Sequence, residues 1–152
     1  MIESLRKTVY QNHVALVTLY NAPMRALASR AIRVWFNRAR LDQLLCENIT
    51  EFLECDMLYA IDANGIQVSS NICEASIDRN AYRQDLSHRP YHVTIPHLND
   101  AAFQEAFLCE VYISQLTQRP CVTVLRGVSV GPATLGFIAA DLDVSALPSL
   151  HM

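Results

Sequence analysis

The sequence predicts an α+β domain, with helices gathered first and an antiparallel sheet after them. Three observations carry this prediction. Apolar residues recur at helical spacing through residues 2–54. Strand-like runs separated by turn residues fill 56–70 and 108–142. All four glycines (Gly65, Gly127, Gly131 and Gly136) and five of the six prolines lie in the later part of the chain. At 152 residues the length fits one domain, divided into a helical arm at 1–54 and a sheet with a long loop at 55–147.

Ile2, Leu5, Val9, Asn12, Leu16 and Leu19 advance in steps of three and four, an a/d pattern with one polar position. Val14, Ala15, Val17 and Tyr20 widen the apolar face, so this helix serves its own core, a second copy of the chain, or both. Asn21-Ala22-Pro23 is expected to end it and start the next, since proline costs little in a first turn. Met24, Leu27, Ala28, Ala31, Ile32 and Trp35 then form the clearest amphipathic stripe, with Arg25, Arg33, Arg40 and, more loosely, Arg30 opposite. Leu41, Leu44, Leu45, Ile49, Phe52 and Leu53 continue the period. Residues 23–54 form either one helix or two broken near 37–42.

Residues 56–62 and 66–70 are strand-like, and Ala63-Asn64-Gly65 between them is a hairpin signal, because Asn and Gly tolerate positive φ. Residues 72–102 are polar and rich in His, Pro and Asn. A stretch that long either carries function or contains short helices. Three further strands are expected at 108–116, 121–126 and 135–142, with turns at 118–120 and 127–132.

Charge and composition exclude several classes. Residues 1–40 carry a net charge of +6 and residues 41–152 a net −9. The basic arginine face lacks a helix-turn-helix or an aromatic platform, and the acidic remainder repels phosphate, so nucleic acid is not expected as a partner. No uninterrupted apolar run is long enough to span a membrane. No secretory leader pattern precedes residue 20, and a cytoplasmic address is the expectation. Five cysteines, Cys46, Cys55, Cys73, Cys109 and Cys121, include no CxxC pair. They read as reduced thiols, with a cysteine-based redox sensor as the alternative. His88, His92 and His97 lack the spacing of a metal site, and nucleotide-binding and nucleophile-elbow motifs are absent, so neither enzyme, metal nor cofactor is expected.

Residues 85–91 read Asp-Leu-Ser-His-Arg-Pro-Tyr, which resembles the D-x-S-x-R-P-Y segment of Cache (PDC, PAS-like) sensor domains. Glu110 to Ser114, followed by Thr117-Gln118-Arg119-Pro120, resembles that family's strand-turn-strand. Residues 136–143 resemble its closing strand and residues 62–65 its first hairpin. Together these cover about residues 1–147 in the family's order. The resemblance implies a PAS-like sheet of five antiparallel strands, with long N-terminal helices packed alongside. It also implies a small-molecule sensor of a signal-transduction system whose ligand is a carboxylate, an amino acid or an amine.

The same resemblance nominates Arg89 as the group that grips a carboxylate through paired hydrogen bonds, with a loop-holding bridge to Asp85 as its other reading. Tyr91 and His92 would wall the ligand, and His88 would stand beside them. Tyr112 and Ser114 lie two apart on a strand and so share a face. Ser114 stands where amino-acid-binding members carry Asp, which favours a plain carboxylate or a neutral polar molecule over an amino acid. Asp141 matches the acidic position of the closing strand and is expected to meet a ligand amine, an internal donor or water. Signal output would pass in trans to an unidentified partner through a homodimer of the helical arm. The rival expectation is a protein-interaction scaffold with a vestigial pocket.

Overall fold

The computed structural model describes residues 2–87, 107–108, 112–114 and 117–145. Helix α1 spans Ile2–Ala31 and helix α2 Arg38–Asn48. The sheet strands are β1 (Met57–Asp62), β2 (Asn71–Ile72), β3 (Ile77–Asp78), β4 (Phe107–Leu108), β5 (Tyr112–Ile113), β6 (Pro120–Val130) and β7 (Ala133–Asp143). Their lateral order is β3-β2-β1-β7-β6-β4, with β5 also paired to β6 and every pairing antiparallel. The architecture is therefore α+β. The expected five strands become seven segments among the described residues: β3 adds a short outer rung, and β4 and β5 both pair with β6. Of the helices, α1 is long at 30 residues, whereas α2 has only 11.

The expected break at Pro23 does not occur, because α1 runs through it. Proline inside a helix costs about 3 kcal/mol. That cost is offset by a buried stripe continuous across the proline: Leu16, Tyr20, Met24, Leu27, Ala28 and Ala31. This stripe passes through Tyr20 and leaves Leu19 41% exposed, so from Leu16 onward the buried face departs from the a/d pattern. The true break falls at residues 32–37, where tight turns place Trp35 in the core and leave Phe36 outside. Asn37 then caps α2 by accepting the Arg40 N–H at 3.1 Å. The predicted arginine face is exposed at Arg25, Arg30, Arg33 and Arg40. Arg30 donates to Asn48, and Arg38 lies 4.5 Å over the Tyr82 ring.

Among the links that fasten the helices to later segments of the chain, two rest on hydrogen bonds of buried side chains. Tyr20 donates its hydroxyl to the Leu53 carbonyl at 2.6 Å and meets the Phe52 ring edge-on. The buried Asp42 carboxylate accepts both the backbone N–H and the hydroxyl of Ser70, at 2.7 and 2.6 Å. With two donors aimed at it, the carboxylate is accommodated in the interior.

The Asn64-Gly65 turn forms, with Gly65 at φ 87° and Asp62 Oδ1 accepting the Asn64 and Ile66 N–H groups. The expected second strand at 66–70 is reduced to single bridges at Ile66 and Gln67, and regular pairing resumes only at β2. The reason is local: the Ser69 hydroxyl accepts the Ala60 N–H at 2.9 Å, so a side chain holds a rung of the ladder. The expected turn at 127–132 is also corrected. Strand β6 continues to Val130, and only Gly131 and Pro132 remain as a two-residue connection. Gly131 at φ 56° supplies the positive φ such a turn requires at its first central position.

The sheet is covered on one face by α1 and α2. Leu58, Ala60, Val122, Val124, Ile138, Ala140 and Leu142 point that way and form one core with the helices. Met57, Tyr59, Leu125, Phe137 and Ala139 point the other way, into a second and smaller cluster. At Gly136, β7 passes against the β1 end and Trp35. A Cβ there would overlap the Ile61 carbonyl and stand 2.7 Å from the indole, so only glycine fits.

Candidate functional site

The face away from the helices carries a connected polar network. Cross-strand register places Met57, Asp141 and Thr123 in one row across β1, β7 and β6, with Tyr59 two residues along β1 on the same side. Asp141 is 4% exposed. Its Oδ1 accepts the Tyr59 hydroxyl at 2.8 Å and the Thr123 hydroxyl at 2.7 Å, and the Tyr112 hydroxyl oxygen stands 3.4 Å away. Tyr112 and Thr123 hydroxyls are themselves 2.8 Å apart. Thr123 has a single hydroxyl proton, committed to Asp141, so Tyr112 donates to Thr123. Four strands thus contribute one polar network, and its direction of donation converges on a carboxylate.

Beside this network lies a pocket of about 80 Å³, lined by Asp56, Met57, Cys73, Ser114, Asp141 and Asp143 among others. At its rim Arg119 Nε pairs with Asp143 Oδ2 at 2.9 Å, while the Asp143 N–H donates to Asp56 Oδ2 at 3.1 Å. Burial, reinforced by the Asp143 charge, holds the Asp56 carboxyl above its usual range. Burial acts the same way on Asp143 but loses to the Ser145 hydrogen bonds and Arg119, so the Asp143 carboxyl lies below its usual range. Three carboxylates against one 63%-exposed guanidinium leave the pocket with a negative potential among the described residues.

The predicted site residues divide by location. Tyr112, Ser114 and Asp141 are brought together at this pocket. Asp141 has internal donors, one of the partners expected for it. Ser114 lines the pocket but also pins the following turn, accepting the Thr117 N–H on its hydroxyl and the Gln118 N–H on its carbonyl. Arg89, Tyr91, His92 and His88 lie outside the described residues, as does His97. Asp85 is described: it forms a bridge with Ile66, and its side chain accepts the Ser87 N–H.

Sequence reasoning passed over Tyr59, Thr123, Asp56 and Asp143. Period-two alternation links Tyr59 to Met57 and Thr123 to Cys121. Strands buried on both faces give no polar signal for which face is which.

Two of the thiols, Cys46 and Cys55, are quiet. Burial, followed by the charge of Asp141, pushes the Cys55 thiol far up, and burial likewise raises Cys46. Neither carries the depressed pKa of a reactive cysteine. Among the described residues no group of three His, Cys, Asp or Glu is placed to hold a metal ion. No helix among them is long and apolar enough to cross a membrane.

No protein-family model matches the chain, and no curated protein matches it in sequence. Solved structures do. An extracellular ligand binding receptor from Desulfohalobium retbaense matches with TM-score 0.67 at 12% identity, over 96% of this chain and 25% of that one. The sensor domain of the V. cholerae histidine kinase DctB matches with TM-score 0.62 at 17% identity, over 98% and 58%. The ligand-binding domain of the Campylobacter jejuni chemoreceptor Tlp3, in complex with 4-methylisoleucine, matches with TM-score 0.57 at 12% identity, over 98% and 58%. The chain therefore spans between a quarter and three fifths of the length of these proteins. By its helices, its sheet and these likenesses, it has the fold of the Cache, or PDC-type, sensor domains.

Proposed function

We propose that this chain is a small-molecule sensor module of a signal-transduction system, and that its ligand presents an amine to the acidic pocket and a carboxylate to Arg89. The observation that supports the amine end is the convergence of Asp56, Asp141 and Asp143 on one small cavity. A cavity of 80 Å³ suits an ammonium head and little more. The hydroxyls of Tyr59 and Thr123 orient Asp141, and a charged hydrogen bond to it is worth about 1.5–3 kcal/mol. The amino acid bound in the Tlp3 structure lends weight to this ligand class. The acidic pocket shifts preference from a plain carboxylate to an amino acid or amine. Output would run in trans, through a dimer of α1, to a partner that reads the helix position.

Calorimetry with amino acids, amines lacking a carboxylate and carboxylates lacking an amine tests the reading. Amino acids are expected to bind best, and Asp141→Asn to weaken them at least about tenfold while the fold melts as before. If wild type binds none of the three classes, or Asp141→Asn binds as wild type does, the sensor pocket is wrong.

The scaffold reading has one observation in its favour: 80 Å³ is well under the roughly 300–1,000 Å³ of typical metabolite sites. Absence of binding together with a stable dimer in light scattering would favour that reading.

A further inference from the structure

A second cavity, of about 190 Å³, lies between α1 and β6 on the helix-covered side of the sheet. Its α1 wall is a polar stripe next to the core stripe: Arg25 and Ser29 follow Asn21 at steps of four, and so share one helix face. Its β6 wall is formed by residues 126–129, including Arg126 and Ser129. Arg126 is 94% buried by its 6% exposure, and it donates from Nη1 to Asn21 Oδ1 at 3.1 Å. That bond spans helix and strand.

Two arginines and two serines therefore line a single groove from opposite walls, with Ala28, Ile32 and Val128 between them. The cavity is smaller than metabolite sites of about 300–1,000 Å³, which restricts the occupant to a small ion. Donors on opposite walls suit an acceptor with oxygens on all sides, as a tetrahedral oxyanion has.

We propose that this groove binds a small tetrahedral oxyanion of the phosphate class, at a site separate from the acidic pocket and of opposite charge. The anion bridges α1 to β6 beside the Asn21–Arg126 bond, so its binding tightens the helix against the sheet.

The test is a titration of the full chain with inorganic phosphate against chloride at constant ionic strength, followed by amide NMR. Saturable shifts are expected at Ser29, Gly127 and Ser129. Arg25→Gln, at an exposed position that leaves the core intact, is expected to weaken the affinity about tenfold. Arg33→Gln removes the same charge away from the groove and is expected to leave it unchanged. Shifts that never saturate, an Arg25→Gln variant that titrates like wild type, or an equal loss in Arg33→Gln would each overturn the site.

Discussion

The two faces of the sheet are made by the same strands and do different things. Along β7, Ile138, Ala140 and Leu142 face the helices, while Phe137, Ala139 and Asp141 face the pocket. The helix-side face is mainly apolar through β1, β6 and β7, with Arg126 its polar exception in β6, and closes against Leu16, Met24, Leu27, Leu41 and Leu45. The other face interrupts its apolar residues with Tyr59, Thr123 and Asp141, all buried and bonded to one another. One face holds the domain together by removing apolar surface from water. The other accepts the desolvation of a carboxylate, which only a complete set of donors makes tolerable. A sheet can host a polar site when its opposite face supplies enough packing to hold the strands in place.

The contrast is broken most severely from the helix side. Leu142→Ala is expected to cost about 2–5 kcal/mol, read as a lowered denaturant midpoint, because a fully buried side chain leaves a cavity between sheet and helices. A loss below about 0.5 kcal/mol would mean that this face is not the stabilising one.

Tyr59→Phe sharpens the contrast from the pocket side. The ring keeps its packing and Asp141 loses one donor, so the expected cost is about 1 kcal/mol by the same measurement. Ligand affinity is expected to fall as well, since Asp141 is then less firmly oriented. A loss as large as that of Leu142→Ala would erase the distinction between the faces.

The smallest effect is expected at Asp56, and its sign is favourable. Its folded-state carboxyl titrates above its unfolded value, chiefly through burial, so its charge opposes folding at neutral pH. Asp56→Asn keeps an acceptor for the Asp143 N–H and removes the charge. The variant is expected to be more stable than wild type at pH 7. The gain should vanish as pH falls below the ordinary carboxylate range, where wild-type Asp56 is protonated in both states. A gain that persists at pH 3 would locate the cause outside this titration.

Local chemistry was legible wherever one element decided the outcome. The turn at Asn64-Gly65, the amphipathic run from Met24 to Ala31 and the edges of β1 were all readable from neighbouring residues. The segment around Pro23 was not, because local preference argued for a break while the buried stripe from Leu16 to Ala31 held the helix together. The extension of β6 past Gly127 was hidden for a similar reason. Glycine weakens a strand on its own, but ten register pairs with β7 carry the pairing through it.

By itself the sequence determined the α+β class, the separation of helices from sheet, and the nomination of Tyr112, Ser114 and Asp141. Those depend on periodicity, turn residues and short motifs, which are local. Only the tertiary structure decided that Tyr59 and Thr123, separated by 64 positions in the chain, donate to the same oxygen of Asp141. Nor does spacing bring Asn21 to Arg126, or draw three carboxylates around one cavity. Such meetings are set by strand order and register, which depend on packing across the whole domain rather than on the residues that meet.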